Sequence, residues 1–423
     1  MIADYSVAIR LFNRDTRLFL TAGAIHAMAV VGVYGVLLNL YLLRTGYGIE
    51  FIGLITAAGL LSFAVFSLPA GYVAQRWGIR RTMIASLGIG VAAMGLMPLA
   101  DLLPEAIRGG WLATGNVLAG LGTTAFHVSI MPYLMASTGP AERRQAFSMR
   151  WALFYVGSFA GSILGGVLPP AIAFVTRESL QDPQPFRYSL FVGGVLLVGA
   201  LWAVSRASEM RADPQAIAVV RGHRFPLGIL AIFGGAVFLW ATAEGAAQAF
   251  FNVYLDTRLE ITTFQIGIII AIARIAGIPA SLAAPDIARR IGNGQTAALA
   301  SLAAALSLIP LALVPHWAAA GAAFVAINVS VGVLAPASYL FMFGLVAERW
   351  RLAIASTSIG AGVAGFAAIA LGGGFLIARL DYPIFFLISA AITTVGVLLF
   401  WIRFVSRAQV ADPPVAANGA VKD

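Results

Sequence analysis

The chain has 423 residues, of which 60% are hydrophobic and only 11% charged, and its mean hydropathy is +0.90. A soluble domain carries about 25% charged residues, because its surface must be covered with polar groups. Composition therefore excludes a soluble enzyme, a disordered chain and a nucleic-acid-binding protein, although the net charge is +9.

A helix needs about 20 apolar residues to cross a hydrocarbon core of about 30 Å. The apolar runs here are too long for barrel strands and do not alternate with period two. In chain order they predict helices over 18–43, 51–74, 82–100, 111–137, 146–174, 188–205, 227–255, 264–287, 296–314, 317–346, 353–378 and 384–405. The expected fold is an all-α membrane protein with twelve transmembrane helices. The weakest break is Pro315-His316-Trp317, between spans 9 and 10. The charged start MIADYSVAIRLFNRD and the long first run read as a retained first span, not a cleaved signal.

The cations set an orientation. If both termini are cytoplasmic, the cytoplasmic connections hold 20 of the 27 Lys and Arg residues, among them Arg76, Arg80, Arg81, Arg143, Arg144 and Arg150. The other face holds 6, and Arg274 is left inside a span. That asymmetry predicts a multi-pass protein of the cell's inner (plasma) membrane with its N- and C-termini in the cytoplasm.

The chain also repeats itself. Asn39-Leu-Tyr41-Leu recurs as Asn252-Val-Tyr254-Leu at an offset of 213. Ile52-Gly53-Leu recurs as Ile266-Gly267-Ile, and Arg76-Trp-Gly78 as Arg290-Ile-Gly292, both at 214. The matches fall at span ends rather than within apolar runs, so they predict two six-helix pseudo-symmetric halves. The expected organisation is an N-terminal half over 1–205, a linker over 206–226, a C-terminal half over 227–405 and a tail over 406–423. Paired halves around a midplane site are the plan of many secondary transporters.

The loop after span 2 reads Gly71-Tyr72-Val73-Ala74-Gln75-Arg76-Trp77-Gly78-Ile79-Arg80-Arg81. With Pro140-Ala-Glu142-Arg143-Arg144 after span 4 and the repeat, this sequence resembles the major facilitator superfamily over essentially its whole length. The resemblance implies that Gly71, Gln75, Arg76, Gly78, Arg80 and Arg81 form a gating loop. The family's acid is replaced by Gln75, so a charge network through that position is incomplete. Two departures concern subfamily: Asn116 stands where proton-coupled members often carry an arginine, and span 5 lacks the drug/proton antiporter signature. The resemblance also implies that spans 3, 6, 9 and 12 face lipid while 1, 4, 7 and 10 line a central cavity.

Four ionisable groups lie well within spans: His26, His127, Glu244 and Arg274. A charge at that depth costs about 2.5–3.5 kcal/mol on insertion scales, so it should face protein or water. Glu244 and Arg274 fall at similar height and are expected to pair structurally or to hold a charged solute jointly. Glu244, Gln248 and Asn252 repeat every fourth residue and share a helix face. Asn39, Asn328, Trp151 and Tyr155 extend the candidate substrate-binding and coupling set, with aromatic packing the alternative for the last two. Each histidine is either a packing residue or a proton carrier. No metal-ligand cluster, nucleophile–base set or filter-like loop is found in the spans, so no catalytic residue, metal or cofactor is expected and an enzyme or a channel is disfavoured. Partners are expected to be the bilayer, a small-molecule substrate and, if coupled, protons, with the chain acting as a monomer. The expected function is transport of a small organic solute by alternating access. The alternative is a proton-independent uniporter or exporter of hydrophobic compounds.

Overall fold

The computed structural model describes residues 12–209, 227–346 and 351–406, apart from a few side chains, Gln75, Arg143 and Arg144 among them. Most of the expected linker and tail, and Arg10, Arg211, Arg221, Arg224, Arg349, Arg407 and Lys422, lie outside the described residues.

Helices α1 (Arg14–Arg44), α2 (Ile49–Trp77), α3 (Ile79–Leu96), α4 (Glu105–Ser137), α5 (Pro140–Thr176) and α6 (Gln184–Ser205) form one half. Helices α7 (Leu227–Thr257), α8 (Thr263–Ile291), α9 (Asn293–Leu313) and α10 (Trp317–Gly344) begin the other. A last run, Arg351–Phe400, contains one non-helical residue, Asp381, at φ 68° and ψ 167°. It divides there into α11 (351–380) and α12 (382–400), which gives twelve spans. Asp381 holds the bend by accepting from the Tyr382 amide at 2.8 Å and pairing with Arg258 at 3.0 Å. The break at Pro315-His316-Trp317 is present, with His316 accepting from the Ala318 amide as an N-cap.

Most of the helices start a few residues earlier than the apolar runs do, although α7 and α10 start with them. α5 begins at Pro140, a residue suited to a first turn because it has no N–H to leave unpaired. Arg150 therefore belongs to a helix and not to a connection.

Rows of exposed apolar side chains mark the periphery. They include Val195, Val198 and Trp202 on α6, Leu299, Leu306 and Leu313 on α9, and Val395, Leu398, Leu399 and Ile402 on and just beyond α12. The three- to seven-residue spacings put each row on one helix face.

The core is asymmetric along the bundle. One cluster of buried side chains fills the first half and crosses into the second through Phe250, Phe251, Tyr254, Ile266 and Phe324. A second, with Phe233, Trp240, Met342 and Phe400, stays within the second half. The crossing lies at the end of the bundle where α1 and α7 finish. We call this the far end, and the opposite one, where α1 starts and α12 finishes, the terminal end.

Close helix crossings at the far end require glycine. A Cβ on Gly267 of α8 would stand 2.6 Å from the Gly166 Cα of α5. The repeat-related pair does the same between α2 and α11, where a Cβ on Gly53 would lie 3.3 Å from the Gly374 Cα. Nothing lies within 4 Å of a Cβ placed on Gly88 in α3. Gly88→Ala is therefore expected to hold or raise the melting temperature, since alanine favours helix by about 0.5–1 kcal/mol. Gly267→Ala should lower it, overpacking costing about 1–3 kcal/mol. Thermal unfolding in detergent reads the sign of each, and equal shifts would contradict the packing account.

Candidate functional site

Between the two halves, near mid-height, α5, α7, α8 and α10 bring Tyr155, Glu244, Gln248, Arg274 and Asn328 into one neighbourhood. Arg274 is half-buried, and its Nη2 donates to Gln248 Oε1 at 2.9 Å while its Nε is buried without a partner. The direct Glu244–Arg274 ion pair expected from their matched heights is not formed. Gln248 stands one helical turn, about 6 Å, further along α7, and that is where the long arginine side chain reaches. Glu244 and Arg274 remain electrostatic neighbours, with Tyr155 of the other half facing both. Among the described residues Glu244 makes no hydrogen bond or ion pair.

Trp151 and Tyr155 sit one turn apart on α5 with ring centres 6.5 Å apart, and Trp151 is 46% exposed. Arg150 lies over the Trp151 ring at 4.2 Å and faces Tyr339 of α10 across the gap. Sequence reasoning missed Arg150 by counting it with the loop cations, although the predicted span over 146–174 already contained it; its place beside Trp151, itself one turn before Tyr155, was the available signal. Asn328 is turned back onto its own helix, donating to the Phe324 carbonyl at 2.9 Å.

Asn39 and Asn252 come together, but with each other. Asn39 Nδ2 donates to the Ala249 carbonyl at 2.8 Å, and Asn252 Nδ2 to the Val36 carbonyl at 2.9 Å. The acceptors, like the donors, are separated by 213 residues, so the two bonds are related by the repeat. A third contact, 3.3 Å, joins the amides. Beyond them Arg44 grips Asp256 through both oxygens, at 2.8 and 2.7 Å, and donates from Nε to the Leu180 carbonyl. These four side chains clasp α1 to α7 at the far end.

His26 and His127 meet edge to face at 5.2 Å inside the first half, away from Glu244 and Arg274. His26 stacks on Phe126 at 4.5 Å, and His127 Nδ1 is 3.0 Å from the Thr123 carbonyl. Two cavities of about 10 Å³ flank His26, each of the order needed to hold one water. Just above His26, α1 widens into a π-helical stretch, Ala27–Tyr34, a form that recurs at functional sites.

The gating-loop residues lie at the terminal end. Gly78 joins α2 to α3 at φ 98°, and its repeat partner Gly292 joins α8 to α9 at φ 89°, a conformation that favours glycine. Gly71 packs near Val128 of α4, and Arg76 covers the Tyr72 ring at 4.7 Å. The Gln75 side chain lies outside the described residues. An acid is supplied from elsewhere: Glu209, after α6, accepts from the Arg80 amide at 3.0 Å and stands 4.0 Å from the Arg81 Nε. Arg80 also donates from Nη2 to the Ser205 carbonyl at 2.5 Å. Among the described residues no group of three or more His, Asp or Glu side chains is placed to hold a metal ion.

Twelve spans in two related halves, clasped at one end around a polar midplane, define a membrane carrier by fold. The model of the Major Facilitator Superfamily matches residues 20–351, and the chain belongs to that family. A relative described as an uncharacterised MFS-type transporter, YcaD, of Escherichia fergusonii is 22% identical over 63% of this chain, which spans 65% of that relative's length. YcaD of Shigella flexneri is 23% identical over 62% of this chain and 63% of its own. The solved D323A mutant of the nucleoside transporter NupG has the same fold at a TM-score of 0.73 and 14% identity, over 93% of this chain and 100% of that one. A D-xylose-proton symporter aligns at 0.71 and 12%, over 92% and 97%.

The asparagine clasp makes a testable pair. Asn39→Ala and Asn252→Ala should each destabilise by about 1 kcal/mol, the net worth of a buried hydrogen bond. In the double variant the losses should fall short of their sum, because the two amides share one network. Strict additivity in chemical or thermal unfolding would contradict the mutual bond.

Proposed function

We propose that the chain carries a small organic solute across the inner (plasma) membrane by alternating access. The solute sits between the two halves at Glu244, Gln248 and Arg274, with Tyr155, Trp151 and Asn328 on the facing helices. The observation that carries this reading is that these groups come from both halves, while the contacts joining the halves gather at the far end. A rocking motion about the site would open one end as it closes the other. The halves are taken as 1–205 and 227–405, each monomer working alone, with both termini and the Gly71–Arg81 gating loop on the cytoplasmic side.

Glu244 is the proton-coupling group of this reading. It is held in a water-poor site without a fixed partner, so solute binding at Arg274 and proton binding at Glu244 act on the same local charge. His26 and His127, flanked by water-sized cavities, are a second candidate proton position within α1 and α4. The competing reading is a proton-independent uniporter or exporter of hydrophobic compounds, supported by the apolar and aromatic wall at Trp151 and Tyr155.

Transport in reconstituted vesicles separates them, using a radiolabelled solute taken from a ligand-induced thermal-shift screen. Flux should saturate, show counterflow and lose uphill accumulation when an uncoupler is added. Glu244→Gln should abolish proton-driven accumulation while keeping solute exchange. Accumulation that ignores uncoupler and pH would overturn the coupling, and single-channel currents would overturn the carrier.

A further inference from the structure

The charge inventory of the central space points to one class of solute. Three groups with formal charge face the gap between the halves: Glu244 on α7 and Arg274 on α8 at its centre, with Tyr155 facing both, and Arg150 on α5, which faces Tyr339 of α10 and also lines the small cavity beside His26 and His127. Two are cations and one is an acid, so with both histidines neutral their sum is +1 with Glu244 ionised and +2 with Glu244 protonated, while the Glu244–Arg274 neighbourhood alone goes from 0 to +1. None of the three is neutralised by an ion pair among the described residues. This contrasts with the cations at the far end, where Arg44 pairs with Asp256 and Arg187 with Asp101, each at 2.7 Å. The far-end arginines are paired with carboxylates, whereas Arg274 at the centre and Arg150 beside the Trp151–Tyr155 shelf are not.

Their geometry is also open. Arg274 uses one nitrogen on Gln248, a neutral acceptor, and keeps Nε buried and unpartnered. A guanidinium with an unused Nε–H is a ready donor to a planar oxyanion, which can take two parallel hydrogen bonds from it. The Arg150 guanidinium carbon lies 4.2 Å from the Trp151 ring centre, beside the Trp151–Tyr155 shelf.

A neutral polyhydroxylated solute finds far less. Recognition of several hydroxyls draws on free amide donors, yet the side-chain nitrogens of Asn39, Asn116, Asn252 and Asn328 all donate to backbone carbonyls. Asn39 donates to Ala249, Asn116 to Ile55, Asn252 to Val36 and Asn328 to Phe324. Gln248 accepts from Arg274.

We infer that the solute is an organic anion, a carboxylate or similar oxyanion on an aromatic or apolar body, bound with its anionic group at Arg274 and its body against Trp151 and Tyr155, with Arg150 beside that shelf adding a second positive charge to the gap. This rests on the carrier reading above. Glu244 opposes the anion when ionised and admits it when protonated, which couples the two ligands without their touching.

The test is a ligand-induced thermal shift on the purified full-length protein with three matched pools: aromatic and aliphatic carboxylates, their primary amides and the corresponding amines. The carboxylates are expected to raise the melting temperature of the wild type, and the other pools to leave it unchanged. Arg274→Gln should abolish the carboxylate shift, Arg150→Gln should weaken binding about tenfold, and Glu244→Gln should preserve or tighten it, in line with charge-assisted contacts. Arg274→Lys, which keeps the charge without the fork, should bind the carboxylates weakly but detectably. The wild-type comparison among pools stands even if a variant fails to fold. Amine binding that is lost in Glu244→Gln, amide binding that survives both arginine substitutions, or no shift with the carboxylate pool would each overturn the anion. Saturable counterflow of an amine or amide would refute the anion and leave the carrier reading intact. Carboxylate binding without flux in vesicles would do the reverse.

Discussion

The reciprocal hydrogen bonds of Asn39 and Asn252 set the state of the whole bundle. In hydrocarbon an amide has no water to turn to, so each must find a protein partner. Each finds it on the other half, at carbonyls related by the same 213-residue offset as the donors. Two equivalent bonds bring α1 and α7 together symmetrically. The Arg44–Asp256 pair and the glycine crossings Gly53–Gly374 and Gly166–Gly267 then close the same end. The buried core follows, being continuous between halves there and separate towards the terminal end.

That closure isolates the centre. With one end shut by packed glycine and paired charge, the proposed site would be reached through the other. The buried arginines divide accordingly. Arg44 and Arg187 meet carboxylates and act as struts, whereas Arg150 meets a tryptophan face and Arg274 a glutamine oxygen. An incompletely compensated charge in a water-poor site is unfavourable for folding, and such sites are where membrane proteins place ligands and protons.

Much of the fold was legible from the residues. The twelve apolar runs became twelve helices because a bilayer leaves the backbone no other way to pair its polar groups. The repeat was legible too, and it reappears as paired geometry at Gly78 and Gly292 and at Asn39 and Asn252. The centre was legible in part. Heights along helices follow from counting, so Glu244 and Arg274 were expected near each other. Which acceptor an arginine reaches depends on azimuth and on neighbouring helices, and Gln248 was chosen by packing that counting cannot see. The asparagines show the same limit: their position suggests a polar lining, but their amides are turned to backbone carbonyls. Arg150 was overlooked because it stands near the start of the predicted run over 146–174, where it was counted with the cations of the preceding connection. Glu209 was hidden because its contact with Arg80 and Arg81 joins segments 129 residues apart.

We propose that the site is reached from the face carrying the termini while the far end stays clasped. The chain has no cysteine, so Trp151→Cys introduces a single reporter on the central shelf. Its labelling by a membrane-impermeant maleimide, compared in inside-out and right-side-out vesicles, measures access from each face. Labelling is expected mainly in inside-out vesicles with Arg44 and Asp256 intact, with a rise in right-side-out labelling when Arg44→Ala is added. Labelling mainly from the outside with the clasp intact, or equal labelling from both faces, would contradict it.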